Sequence, residues 1–254
     1  MNILTVIPCY NTKEKTFIRD CVKQLKISNP SFDILIIDSG SPDKSYFKEV
    51  ENEKVEILDI HNKHYDIGAL EIAIQQKPDY DFYFLIHDSL IVSRNLSGII
   101  ETHSALVFRY FLCHKKVGGF KHLHSRKDAL KWIFQRISIK KGKREKISGF
   151  GFDNYEQMRF FETVCSKVGL TIPEYWLATF GPVFGISKEI ATAMYNSGMF
   201  QFKPSNKNEQ MAFERIIGLY LNSQFGANLG VIVGNHFECD LNSNGIEKII
   251  AFRK

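Results

Sequence analysis

The feature that most constrains the fold is an alternation of short apolar strands with helical segments over the first hundred residues. Four apolar runs have the length and residue types of strands: 3–7, 34–37, 55–60 and 80–86. Between them, residues 16–28 and a stretch beginning near Asp66 carry apolar residues at helical spacing. Strands that alternate with helices predict an α/β fold with a mostly parallel sheet flanked by helices.

Polar residues follow each of these predicted strands. They are Pro8-Cys9-Tyr10-Asn11, Asp38-Ser39-Gly40-Ser41, His61-Asn62-Lys63 and His87-Asp88-Ser89. In open α/β sheets, ligands bind beyond the carboxyl ends of the strands, so one cleft is expected to collect all four segments. Asp88 is the most informative of them. A carboxylate at the end of a buried strand is energetically costly unless it has a charged or hydrogen-bonding partner or a functional role.

The rest of the chain predicts one domain, 1–254, with a first half at 1–100 and a second half at 101–254. A basic, less regular insertion covers roughly 104–155 and contains an amphipathic stretch at 130–137. Further on, we expect a helix at 188–197 capped by Ser187, a helix at 208–224 and a last strand at 229–233.

Composition indicates a cytoplasmic protein, at most peripherally attached to a membrane. The N-terminus has no signal-peptide pattern, and no apolar stretch approaches the length of a membrane span. Five cysteines without a CxxC motif are typical of reduced thiols. The net charge of +5 suits an anionic small ligand or an anionic membrane surface, and nucleic acid is not an expected partner.

The segments VIPCYN and IIDSGSPD, with an acid after the fourth strand, resemble the GT-A glycosyltransferases, particularly glycosyltransferase family 2. The resemblance covers about the first hundred residues and implies a Rossmann-like GT-A fold, in which 1–100 form the nucleotide-sugar-binding half and 101–254 the acceptor-binding half. It implies that Pro8, Tyr10 and Asn11 line the pocket for the base and ribose of a nucleotide. It also implies that Asp38 accepts a hydrogen bond from the base or the ribose. From the residues alone, Asp38 is equally well a turn-capping acid.

The same resemblance places Asp66 on a helix that lines the sugar-nucleotide cleft, although a plain helix N-cap explains Asp66 as well. It makes Asp88 the remaining acid of a DxD motif, here His87-Asp88-Ser89, and hence a ligand for Mn²⁺ or Mg²⁺. His236 is its expected second ligand. The alternatives are a structural acid at a strand end and an ordinary histidine.

For the catalytic base, the resemblance points to Glu209. The family has an acid at the start of a helix, six residues before an arginine, and these two residues align with Glu209 and Arg215. A carboxylate at a helix N-terminus is also favoured by the helix dipole alone. Glu214 is a weaker candidate, since it lies inside the helix and could simply pair with Arg215. Gly181 and Gly185 match a loop that lets the sugars approach the backbone.

Together these features predict an inverting glycosyltransferase that moves a sugar from a nucleotide-diphosphate donor, expected to be uridine-linked, to a hydroxyl of a glycan or lipid-linked acceptor. A nucleotidyltransferase on a similar sheet is the alternative enzyme, although residues 8–16 lack the Gly and Arg of its phosphate loop. A non-enzymatic module that binds nucleic acid or membrane through the basic residues 140–146 is the third reading.

Overall fold

The computed structural model describes residues 1–12, 17–52, 54–117, 150–179, 181, 183–225, 229–235 and 246–248. The predicted amphipathic stretch at 130–137, the basic residues 140–146 and His236 lie outside the described residues.

A mixed sheet forms the centre of the molecule. Its strands are β1 (Ile3–Cys9), β2 (Asp33–Asp38), β3 (Val55–Asp59), β4 (Phe82–Leu85), β6 (Ala105–Val117), β7 (Phe150–Phe152), β8 (Tyr175–Thr179), β9 (Phe184–Ser187) and β10 (Leu229–Asn235). The short strands β5 (Leu90–Val92) and β11 (Ile246–Lys248) pair separately. The order across the main sheet is β10-β6-β9-β4-β1-β2-β3, and β7 and β8 also pair with β6.

Strand direction divides the sheet into two parts. β4, β1, β2 and β3 run parallel to one another, whereas β9 is antiparallel to both of its neighbours, β4 and β6. Parallel neighbours place their carboxyl ends at one edge, which is where ligand clefts of α/β sheets lie. The predicted α/β class, with a mostly parallel sheet flanked by helices, is thus confirmed, while the division into two functional halves stays a prediction.

Seven α-helices are described around this sheet: α1 (Phe17–Ser28), α2 (Phe47–Val50), α3 (Tyr65–Gln76), α4 (Ser97–Thr102), α5 (Tyr155–Lys167), α6 (Lys188–Asn196) and α7 (Lys207–Phe225). The predicted cap of α6 is confirmed, because the Ile190 backbone N–H donates to Ser187 Oγ at 3.4 Å. The predicted ends of α1, α6 and α7 agree with the structure to within one residue.

Both faces of the sheet are buried because successive side chains of each strand point to opposite sides. Leu4 and Val6 of β1 pack into one apolar cluster with α3 and α7. Ile3 and Ile7 of the same strand pack into a second cluster with α1. Burial on both sides explains why the strands read as continuous apolar runs in the sequence.

Helix α7 lies unusually close to β8. A Cβ atom at Gly218 would lie 2.4 Å from Ala178 Cα, a backbone atom that cannot move aside. Gly185 has a similar role in β9, where a Cβ atom would meet the Phe82 ring at 2.4 Å. Gly185 therefore lies in a strand and allows the sheet to pack closely, whereas the sequence predicted that it lies in a loop.

Candidate functional site

A cleft of about 360 Å³ lies at the carboxyl edge of the parallel strands. Its lining comes from the end of β1 and from the segments that follow β1, β2, β3 and β4: Pro8, Cys9, Tyr10, Ser39, Asn62, Lys63, Tyr65, Asp66, His87 and Asp88. The volume is in the range of small-ligand sites. The expectation that one cleft collects residues from all four strand ends is therefore met by the geometry.

The segment after β1 provides one wall of the cleft and is anchored to the segment after β2. Tyr10 is 55% exposed, so its ring is free to contact a ligand. Asn11 is buried instead; its backbone N–H donates to Ser41 Oγ at 2.7 Å and its side-chain amide donates to the Asp43 carbonyl at 3.0 Å. Asn11 thus holds the two loops together behind the wall rather than lining it.

Asp38 is fully buried and organises the turn that follows β2. The backbone N–H groups of Gly40 and Ser41 donate to its Oδ1 at 2.9 and 2.8 Å, and the Tyr46 hydroxyl donates to its Oδ2 at 2.7 Å. Burial, the neighbouring Cys9 and this bond to Asp38 all raise the pKa of Tyr46. These are the contacts of a turn-capping acid, and a direct contact of Asp38 with a nucleotide stays a prediction.

The loop between β3 and α3 is strained and faces the cleft. His61 and Tyr65 have φ values of 50° and 52°, in the left-handed region that side chains other than glycine rarely adopt. Asn62 stabilises the loop from inside, since its amide donates to the Tyr65 carbonyl at 2.7 Å and its Oδ1 accepts from the His64 backbone N–H at 3.0 Å. Strain of this kind concentrates at binding sites.

Two glycines allow this loop to approach its neighbours. A Cβ atom at Gly40, where φ is +84°, would lie 2.8 Å from His61 Nδ1. A Cβ atom at Gly68 would lie 2.7 Å from Asn62 Oδ1. The turn after β2 and the start of α3 are therefore packed against the strained loop, which fixes Tyr65 and Lys63 at the rim of the cleft.

Asp66 lies in the first turn of α3 and links the cleft to α7. The N-cap of α3 is His64, whose side chain does not cap the helix, so Asp66 is not the cap that the sequence allowed as an alternative. Its Oδ2 accepts from Gln210 Nε2 at 2.7 Å and lies 3.6 Å from His87 Nε2. The bond from Gln210 joins residues 144 positions apart in the chain.

Asp88 lies in the cleft, partly buried, with the acid group close to β1. Burial raises its pKa, whereas the positive charge of His87 and a hydrogen bond from the Tyr10 backbone N–H lower it. Burial and the charge of Asp88 in turn raise the pKa of the Cys9 thiol. Burial disfavours the charged form of a carboxylate, and a cation beside it stabilises that form.

The residues present fit a divalent cation held by one carboxylate. Mg²⁺ and Mn²⁺ prefer oxygen ligands and commonly take one or two carboxylates together with substrate phosphates and water. Asp88 offers such a carboxylate in the lining of the cleft. Within the described ranges no group of three or more His, Cys, Asp or Glu side chains is gathered around a common point.

Glu209 lies in the first turn of α7 and does not line the cleft. Its Oε2 accepts from the backbone N–H and the hydroxyl of Ser205 at 2.6 and 2.8 Å. Its own backbone N–H donates to Asn206 Oδ1 at 3.1 Å. This reciprocal arrangement is close to a capping box, in which side chains on either side of a helix start satisfy its free N–H groups.

Arg215 is buried within the second half of the chain. Its guanidinium donates to the carbonyls of Met211 and Gly151 at 2.8 and 3.1 Å. It also lies over the rings of Phe152 and Phe111, with centroids at 5.2 and 5.7 Å. The arginine six residues after Glu209 therefore stabilises the packing of α7 against β6 and β7.

The structure thus brings Pro8, Tyr10, Asp66 and Asp88 into one cleft, while Asn11 and Asp38 lie directly behind it. Tyr65 and the contact between Asp66 and Gln210 were not expected. No local pattern in the sequence indicates a left-handed tyrosine or a pairing over such a distance. The four described cysteines, Cys9, Cys21, Cys113 and Cys165, are free and buried.

Within the described part of the chain, each helix is either too short or too polar to cross a membrane.

No protein-family model matches the chain, and no curated protein matches it. Among solved structures, TarS 1–349 from S. aureus matches with 13% identity and a TM-score of 0.47, over 91% of this chain and 58% of that one. The mannosyltransferase PcManGT from Pyrobaculum calidifontis, in complex with GDP-Man and Mn²⁺, matches with 13% identity and a TM-score of 0.36, over 45% and 36%. A complex of TarS 1–349 with UDP matches with 15% identity and a TM-score of 0.34, over 47% and 37%.

This chain spans 58% of the length of the TarS structure that it covers most fully. At these identities and TM-scores, the likeness supports no conclusion about activity.

Proposed function

We propose that this chain is an inverting glycosyltransferase that transfers a sugar from a nucleotide-diphosphate donor, expected to be uridine-linked, to a hydroxyl of a glycan or a lipid-linked acceptor. The observation that carries the proposal is the convergence of four strand-end segments on one cleft. A nucleotide sugar needs an apolar or aromatic wall for its base and compensation for its diphosphate charge. The cleft offers both kinds of group.

Tyr10 and Tyr65 supply the aromatic surfaces. Both line the cleft and both are exposed, at 55% and 37%. Tyr10 comes from the loop after β1 and Tyr65 is the first residue of α3, so the two rings belong to different walls. A base or a sugar ring that stacks on either of them gains contact area without a directional bond.

The cation is proposed to be Mn²⁺ or Mg²⁺, held by Asp88, with His236 as its predicted second ligand outside the described residues. Bound there, such an ion would neutralise charge on the leaving diphosphate. Lys63, which is exposed at the rim of the cleft, adds a positive charge from the protein itself.

The reaction is a displacement at the anomeric carbon. The acceptor hydroxyl oxygen forms the new glycosidic bond, the bond from the anomeric carbon to the diphosphate oxygen breaks, and a carboxylate takes the hydroxyl proton. The resemblance assigns this last role to Glu209. The cytoplasmic location, the contact with a membrane surface and the choice of acceptor are parts of the same proposal.

The two other functions have less support. A nucleotidyltransferase would need the Gly and Arg of a phosphate loop, which residues 8–16 do not contain. A module that binds membrane or nucleic acid through 140–146 would show salt-sensitive binding to anionic vesicles or to nucleic acid without turnover of any nucleotide sugar.

The test is a screen of nucleotide sugars with and without Mn²⁺ that measures released nucleotide in the presence of glycan and lipid-linked acceptors. Asp79→Asn is the control for Asp88→Asn, since exposed Asp79 precedes β4 at the opposite end of that strand. We expect release by the wild type and by the control but not by Asp88→Asn. Equal rates in all three would contradict the role of Asp88, and no release from any donor would contradict the proposed function.

A further inference from the structure

We propose that Gln210 is a positioning residue, which fixes the Asp66 carboxylate in the wall of the cleft and holds the start of α7, with Glu209, against α3. The inference rests on the proposed function, since Glu209 is the proposed base and Asp66 lines the proposed donor site. Gln210 itself exchanges no proton with the substrate and acts through these two neighbours.

The contact that places Gln210 at the site is short. Gln210 Nε2 donates to Asp66 Oδ2 at 2.7 Å, and Asp66 lines the cleft. A carboxylate only accepts hydrogen bonds, so the nitrogen of the glutamine amide is the atom that faces it. The same Oδ2 lies 3.6 Å from His87 Nε2. The position of this oxygen is therefore set from two sides, by α7 and by the segment after β4.

Two further polar contacts hold the segment that leads into α7 against α3 and its N-cap. Lys203 Nζ lies 2.7 Å from Glu71 Oε2, and His64 Nδ1 lies 3.4 Å from the Pro204 carbonyl oxygen. The bond from Gln210 is the one of these three contacts that reaches the lining of the cleft. The start of α7, which carries the proposed base, is thus fixed on both sides, before the helix begins and at Gln210.

Gln210 makes its bond at a cost in stability. The residue is 2% exposed, and among the described residues its Oε1 is buried and accepts no hydrogen bond. Gln157 of α5 is equally buried, but its Oε1 accepts from the Asp153 backbone N–H at 3.1 Å and its Nε2 donates to Asp153 Oδ2 at 3.3 Å. An unpaired buried acceptor is destabilising, so stability alone would favour an apolar side chain at 210. The amide is explained by its contact with Asp66.

The bond joins the two groups whose relative position matters for transfer. The donor is proposed to lie against the cleft wall that contains Asp66, and the proposed base Glu209 precedes Gln210 on α7. Displacement of a reacting group by about 1 Å can lower a rate by ~10²-fold. Loss of the Gln210 bond is therefore expected to lower turnover although Gln210 does not line the cleft.

The experiment compares Gln210→Met with its matched control Gln157→Met, in the full chain and with the donor and acceptor identified by the screen. Methionine has nearly the volume of glutamine and no amide, so each variant loses its hydrogen bonds and keeps its packing. We expect Gln210→Met to lower kcat/KM by roughly 10- to 100-fold and to lower the melting temperature less than Gln157→Met does. We expect Gln157→Met to keep kcat/KM within a few-fold of the wild type.

A double-mutant cycle tests whether Gln210 acts through Asp66. In an Asp66→Ala background, Gln210→Met should cause almost no further loss of kcat/KM, because the acceptor of its hydrogen bond is already absent. A general structural effect of Gln210→Met would instead add to that of Asp66→Ala.

Wild-type kcat/KM in Gln210→Met, equal losses in the two methionine variants, or additive losses in the cycle would overturn the role of Gln210 while leaving the proposed function intact. A wild-type chain that neither binds uridine diphosphate nor releases nucleotide from any donor would overturn both. If Gln210→Met does not fold, Gln210→Asn is measured by the same criteria, since it keeps the amide but withdraws it from Asp66 by one methylene group.

Discussion

Replacement of Glu214 by glutamine should make the protein more stable at alkaline pH and leave its stability nearly unchanged at acidic pH. The ordinary pKa of a glutamate is 4.5, and burial raises that of Glu214 to about 7. The folded state therefore binds this proton more tightly than the unfolded state. The resulting stabilisation is complete below about pH 4.5 and is lost as the pH rises through about 7.

The size of the effect follows from the same two values. A difference of one pKa unit corresponds to about 1.4 kcal/mol, so the interval from 4.5 to about 7 sets an upper limit of roughly 3 kcal/mol at pH 8. Glu214 is only partly buried, so water screens part of this cost. We therefore expect Glu214→Gln to raise the free energy of unfolding by about 1–2 kcal/mol at pH 8.

Urea unfolding followed by circular dichroism at pH 5 and pH 8 measures this difference. Glu101→Gln is the control, because Glu101 is an exposed carboxylate on α4. Its unfolding free energy should equal that of the wild type at both pH values. A Glu214→Gln variant whose advantage is the same at both pH values, or absent at pH 8, would refute the account of Glu214.

Three further substitutions test the packing and the cleft. Gly218→Ala should lower the free energy of unfolding by about 1–3 kcal/mol, because its Cβ atom would meet backbone of Ala178 at 2.4 Å; an unchanged melting temperature would contradict that close contact. Asp38→Ala should cost about 3 kcal/mol in urea unfolding, since it leaves buried donors, including the Tyr46 hydroxyl, without an acceptor; full stability with lost nucleotide binding would instead indicate direct contact with the ligand. Tyr10→Ala should leave the melting temperature unchanged, as its ring is 55% exposed, and weaken uridine diphosphate binding about tenfold by calorimetry; unaltered affinity would exclude stacking on Tyr10.

The parallel half of the sheet was predictable because its signals are local. Strands buried on both faces read as apolar runs, and the turn residues that follow them stand out against those runs. The position of the cleft then follows from a general property of parallel strands, with no knowledge of the ligand. This is why Pro8, Tyr10 and Asp88 were identified from the sequence and lie together in the structure.

The remaining features depend on contacts that the sequence does not display. Asp38 has the same local pattern whether it caps a turn or binds a ligand, and only the bonds from Gly40, Ser41 and Tyr46 reveal the turn. The same is true of Glu209, whose cap by Ser205 and Asn206 becomes visible only in three dimensions.

Two features of the cleft wall arise from long-range packing. Gln210 of α7 reaches Asp66 of α3 over 144 positions of the chain, and Glu214, one turn further along α7, is influenced by Asp66 and His87. Burial of Glu214 cannot be deduced from its neighbours in sequence, since a glutamate beside an arginine on a helix is usually a solvated pair.

The central claim is that this cleft binds a nucleotide diphosphate through a cation on Asp88, and thermal unfolding with uridine diphosphate, Mn²⁺ or both tests it most directly. At a hundredfold excess over Kd, a ligand specific for the folded state adds about 2.7 kcal/mol, or roughly 5–10 °C for a chain of this size. We predict that the wild type shows this rise only with both ligands together and that Asp88→Asn does not show it. A flat response of the wild type, or an equal response of Asp88→Asn, would contradict the claim.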